Sequence, residues 1–145
     1  VMAMLRLPTR QSNGKANLHQ GAIGVGIDLA SGTTLNGTWL NEKIERHPDT
    51  GVAVCGIQIP LWDEFMRLAT NCYELVKLGY IGVDLVLDET KGPLILELNA
   101  RPGLSIQIAN DAGLYARTRV VEDYIRSLDE PQNAEERLRF SQRHF

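Results

Sequence analysis

Apolar and polar positions alternate from the first residues, so VMAMLRL (1–7) reads as a strand that ends at Pro8. PTRQSNGKA (8–16) is polar and carries Pro, Ser, Asn and Gly, and it reads as a mobile loop. GAIGVGIDL (21–29) is β-like, Ser31-Gly32 marks a turn, and TTLNGTWL (33–40) is expected to pair back on it. HPDTG (47–51) is a further turn signal. The period then changes. Leu61, Phe65, Leu68, Cys72, Leu75 and Val76 recur at helical spacing. This predicts a helix with Pro60 at its first position, Asp63 and Glu64 at the positive end of its dipole, and Gly79 as its stop. YIGVDLVL (80–87) and PLILELN (93–99), separated by DETKG, predict a β-hairpin. Residues 104–128 read as helical with an interruption near Gly113, and 129–145 as a charged, exposed tail. Strands, helix, hairpin and helices in that order indicate an α+β fold, an antiparallel sheet packed against helices, rather than a doubly wound sheet.

The second strand of that hairpin raises a chemical question. Residues 95–103 read ILELNARPG, placing Glu97 and Asn99 in an otherwise apolar run. Alternate strand residues share a face, so Leu94, Leu96 and Leu98 are expected on one side, with Ile95, Glu97 and Asn99 on the other. Asp84 and Val86 share a face of the partner strand. If the leucines pack on helices, Asp84, Glu97 and Asn99 converge as two carboxylates and an amide oxygen. Such hard donors suit Mg²⁺, which keeps coordination sites for water and phosphate oxygens, so a nucleotide is the natural third party. Arg101 follows in the turn, where a guanidinium suits a phosphate or carboxylate. Alternation alone favours a plainer account, the wet face of an antiparallel sheet.

Composition narrows the classes. The chain has 145 residues, enough for one ordinary domain, and is 43% apolar and 23% charged, as folded proteins are. Its net charge of −3 and lack of a Lys/Arg cluster argue against nucleic acid as a partner. The longest mostly apolar run, VAVCGIQIPLW, is too short to span a membrane. No export signal is visible, so the cytoplasm is expected, with Cys55 and Cys72 as buried thiols rather than a disulfide. The strand already under way at Val1, with no initiating Met, is read as a piece beginning inside a longer protein.

Other chemistries fail on their motifs. A G-x-G-x-x-G pattern starting at Gly24 breaks at Leu29, and there is no Gly-Lys-Ser/Thr loop. No Ser or Cys has a persuasive His and Asp partner, and the scattered His and Cys residues make no zinc site. His47 and His144 have no partner in the sequence and read as surface residues.

GVDLVLD (82–88) followed by GPLILELNARPG (92–103) resembles the metal-binding hairpin of the ATP-grasp ligases. AMLRLP, then KANLHQGA (15–22), is similar to a segment of the ribosomal-protein glutamate ligases and related α-L-glutamate ligases. HPDTG and the IPLWDE run resemble a less characterised, sugar-transfer-associated branch. The resemblance spans about residues 1–127 and implies the second lobe of an ATP-grasp fold, with 1–128 as its C-terminal part, the upstream lobe absent and 129–145 appended.

The resemblance also implies an ATP-dependent carboxylate–amine ligase acting through an acyl phosphate in the full-length parent, with this chain expected to be an inactive or weakly active fragment of it. Its partners would be ATP, Mg²⁺ or Mn²⁺ (two ions), a carboxylate substrate and an amine acceptor, with homo-oligomerisation left open. By similarity Glu97 bridges the two ions, Asp84 holds one and Asn99 the other. Val86 contacts adenine, Arg6 neutralises the γ-phosphate and the acyl phosphate, Asn17 and His19 lie near the transferring phosphate, and Arg101 binds acceptor or carboxylate. Plain alternatives stand beside these: Arg6 as an exposed strand residue, His19 as a hydrogen-bonded sheet-edge histidine, Arg101 as a cap for turn carbonyls. Ala22 departs from the family, which tends to carry a second glycine there, and this bears on substrate identity. The alternative class is a non-catalytic nucleotide-binding or regulatory module.

Overall fold

A computed structural model describes all 145 residues. Contacts divide the chain into one unit of Val1–Ile59, Leu104–Leu128 and Phe145, and another of Pro60–Gly103 and Asp129–His144.

The first unit is built on an antiparallel sheet in the order β1 (Ala3–Leu7), β2 (Ile23–Ile27), β3 (Thr34–Trp39), β4 (Glu42–Ile44). Leu40 and Asn41, both at positive φ, make the two-residue turn between β3 and β4, whose twist matches that of the strands. Ile23 and Val25 alternate onto one face of β2 and pack with Val54, Leu5, Leu7, Trp39 and Ile44 to form the core. Gly24 and Gly26 point the other way. There the short helix α2 (Ile106–Ala109) lies so close that a Cβ on Gly26 would sit 2.5 Å from the Ala109 carbonyl oxygen. The Gly-Val-Gly stretch thus serves helix–sheet approach. Asn110 fastens the layer: its Nδ2 donates to Ala3 O at 3.0 Å and Ile106 O at 2.9 Å. Helix α3 (Leu114–Arg126) buries none of its residues.

The segment expected to be mobile, 8–16, is instead closely bonded. Thr9 and Ser12 are buried, and Thr9 Oγ1 donates to Gly21 O at 2.7 Å. Ser, Thr, Asn and Gly are the residues of both mobile loops and self-bonded turns, so composition alone does not separate the two.

In the second unit α1 (Trp62–Val76) packs against the hairpin β5 (Gly82–Asp88) and β6 (Gly92–Asn99), and against α4 (Ala134–His144). The helix buries Met66 and Cys72. Pro60 is not its first residue: Leu61 caps it at φ 54°, and Trp62 begins it. At the other end Lys77 takes the left-handed conformation, its N–H returning to Tyr73 O at 2.8 Å, so the helix stops before Gly79. The region read as an exposed tail contains α4, which buries Leu138. Arg137 of α4 pairs with Glu74 of α1 and lies 4.8 Å from the Tyr73 ring centroid.

Candidate functional site

The hairpin turn is closed by Asp88, whose Oδ1 accepts the N–H groups of Thr90 and Lys91, each at 2.9 Å, and the Thr90 hydroxyl at 2.8 Å. Those backbone bonds, with the hydroxyl, hold the Asp88 carboxyl below its ordinary range. The register that follows is informative. Asp84 lies directly opposite Glu97, and Gly82 opposite Asn99. One residue further the register shifts, Leu85 pairing with Ile95, so Leu96 is the extra residue of a β-bulge.

Opposed residues of an antiparallel pair point to the same side. Gly82, Asp84 and Val86 therefore share a face with Asn99, Glu97 and, past the bulge, Leu94. This corrects the expected leucine face: the bulge moves Ile95 away from Glu97, brings Leu94 beside Val86, and leaves Leu96 67% exposed. The convergence of Asp84, Glu97 and Asn99 lies on the near side of the bulge and is unaffected.

Asp84 is half-buried, and Glu97, Asn99 and Val86 are exposed. Asn99 Oδ1 accepts the Arg101 N–H at 2.9 Å, which fixes which amide atom is oxygen and leaves one of its lone pairs available. Pro102 folds back over the strand end, where a Cβ on Gly82 would lie 2.7 Å from Pro102 Cβ. Arg101 is exposed and forms no ion pair.

Arg6, Asn17 and His19 belong to the other unit. Arg6 is exposed on β1, opposite Gly24. Asn17 caps a single 3-10 turn, Leu18–Gln20, its Oδ1 accepting the His19 N–H at 3.0 Å. The turn ends at Gly21, φ 96°, and the departure residue Ala22 is buried at the start of β2. The structure thus forms two groups: the hairpin set Asp84, Val86, Glu97, Asn99 and Arg101, and the set Arg6, Asn17 and His19 along β1 and the approach to β2.

No three His, Cys, Asp or Glu side chains gather anywhere in the chain. The hairpin offers two carboxylates and an amide oxygen, an open donor set that fits a cation sharing its shell with phosphate and water. Two carboxylates directly opposite on adjacent strands repel. A shared cation turns that repulsion into attraction.

Sequence reasoning missed His47. Its ring nitrogens contact Pro8 O at 2.9 Å and the Asp49 N–H at 3.2 Å, so it is a structural partner of the 8–16 loop. The only signal was its place in a turn motif. The His144 ring lies 4.4 Å, centroid to centroid and tilted by 39°, from that of Phe140, one helical turn earlier in α4. Both cysteines are free thiols, but only Cys72 is buried as expected; Cys55 is half-buried. No helix is long and apolar enough to cross a membrane.

No curated protein and no solved structure matches the chain. The model of the sugar-transfer-associated ATP-grasp family matches residues 1–123, which include both groups of candidate residues. The chain therefore belongs to the sugar-transfer-associated ATP-grasp family, a nucleotide-binding group of ATP-dependent, ligase-type folds.

Proposed function

We propose that the chain is the metal-binding part of an ATP-dependent carboxylate–amine ligase of the glutamate-ligase-like kind. The observation that carries this reading is the Asp84–Glu97 register pair with Asn99 on the same face. A sheet that merely presents a wet face has no reason to oppose two carboxylates.

Asp84, Glu97 and Asn99 would hold Mg²⁺ or Mn²⁺, which when bound neutralises phosphate oxygens and polarises the γ-phosphorus. Val86 offers adenine an apolar surface. The Arg6 guanidinium balances the charge of the γ-phosphate and of the acyl phosphate formed when the substrate carboxylate attacks the γ-phosphorus, the bond to the β–γ bridging oxygen breaks and ADP leaves. Asn17 and His19 supply hydrogen bonds to the transferring group, and Arg101 orients a carboxylate through its planar fork. The amine then displaces phosphate. No protein nucleophile is needed, because phosphoryl transfer of this kind rests on positioning and charge neutralisation.

The test is a titration of Mn²⁺ with ADP, bound metal being followed by electron paramagnetic resonance in this chain and in Glu97→Gln. Nucleotide-dependent binding weakened at least about tenfold, or about 1.4 kcal/mol, by the substitution is the expected result. Binding that Glu97→Gln leaves unchanged rules out the hairpin as the metal site.

A further inference from the structure

The turn 47–51 is fastened to the loop after β1 by two side-chain-to-backbone hydrogen bonds. His47 Nε2 lies 2.9 Å from Pro8 O. A carbonyl only accepts, so Nε2 carries the proton and Nδ1 is the acceptor for the Asp49 N–H. Asp49 Oδ2 accepts the Arg10 N–H at 2.8 Å. The loop is stiffened from within: Ser12 Oγ accepts the Thr9 N–H at 2.9 Å, and Thr9 Oγ1 accepts the Ser12 N–H at 3.1 Å.

Between loop and turn lies an open hollow of about 430 Å³, lined by Pro8, Arg10, Gly14, His47, Asp49 and Thr50. Arg10 and Asp49, of opposite charge, are among its lining residues, yet no ion pair joins them. The Arg10 guanidinium has no protein partner, and Asp49 uses only Oδ2 on the loop, so its Oδ1 accepts no hydrogen bond within the chain. Gly14, φ +74°, has nothing within 4 Å of where a Cβ would stand, so a ligand can approach bare backbone there.

We infer that this hollow binds a free α-amino acid, its carboxylate on the Arg10 guanidinium and its ammonium on Asp49 Oδ1. Opposite charges that are close in the fold yet unpaired complement a ligand that carries an ammonium and a carboxylate on one carbon. The guanidinium fork matches a carboxylate, while Asp49 repels a second anion and Arg10 repels a bare amine. The inference rests on the ligase reading only in giving the bound amino acid the part of substrate.

L-Alanine titrated into the isotope-labelled chain, with the amide signals of Arg10, Gly14, Asp49 and Thr50 followed by NMR, tests it. Saturable shifts at these positions with a roughly millimolar midpoint are expected. Arg10→Gln and Asp49→Asn should each weaken binding about tenfold. The amide introduced by Asp49→Asn keeps an oxygen for the Arg10 N–H, so that variant leaves the loop fastened. Propionate, which lacks the amine, should bind about tenfold less tightly than L-alanine. Absence of saturable shifts, equal binding of propionate, or undiminished binding by Arg10→Gln overturns the proposal. The readout lies in 8–14 and 47–51, so its failure and that of the Mn²⁺–ADP test at Glu97 are separate events.

Discussion

Gly26 shows how much can depend on a side chain that is missing. A methyl group there would lie 2.5 Å from the Ala109 carbonyl oxygen, and that atom is backbone, so little can give. Gly26→Ala is expected to lower stability by about 1–3 kcal/mol in denaturant unfolding, the usual cost of overpacking. The two thiols should also part company. Burial pushes the Cys72 thiol up, and its Sγ donates to Leu68 O at 3.2 Å, whereas Cys55 is only half-buried. Iodoacetamide on the folded chain should label Cys55 first and reach Cys72 only as the protein unfolds, which peptide mass mapping will register. At this scale the acidic pair was legible, because Asp and Glu in apolar alternation stand out. The purpose of Gly24 and Gly26 was not, since nothing in a sequence shows which helix will arrive from more than eighty residues away.

The elements were legible where their signals are local. The hairpin announced itself through two β-rich runs and a short turn, and the period of α1 was plain. Its ends were misjudged, because Leu61 and Lys77 adopt left-handed conformations that their residue types do not advertise. The bulge at Leu96 was equally hidden: it depends on how two strands pair. Helix α4 was obscured by its charge, since Arg137 and Leu138 make sense only against α1. Leu138→Ala should therefore cost about 2–4 kcal/mol, read as a lowered melting temperature. Glu74 adds a pH dependence. Hydrogen bonds from Lys77 first, and Arg137 next, hold its carboxyl below the ordinary value of 4.5. A group depressed in the folded state stabilises it above the unfolded value, and that contribution is lost as pH falls through the folded value. Thermal melts should accordingly show α4 docking weakening below about pH 4.5, and Glu74→Gln should remove this part of the acid sensitivity.

For the whole molecule, class and family were within reach of the sequence because alternating strands, a hairpin and an ordered set of motifs do not depend on fine geometry. The division into two units was not, because each is assembled from separated stretches of chain. That interleaving has a consequence for the order in which the protein can form. The Asn110 amide that fastens the first unit meets Ala3 O across 107 residues of sequence. During synthesis β1 to β4 emerge early, but the helix that covers Gly24 and Gly26 follows only after the whole acidic hairpin has left the ribosome. Contacts this distant in sequence slow folding, because the chain must close a long loop before they repay it. The glycine face of the sheet is therefore covered late in synthesis, and until then it is exposed surface for a nascent chain to guard.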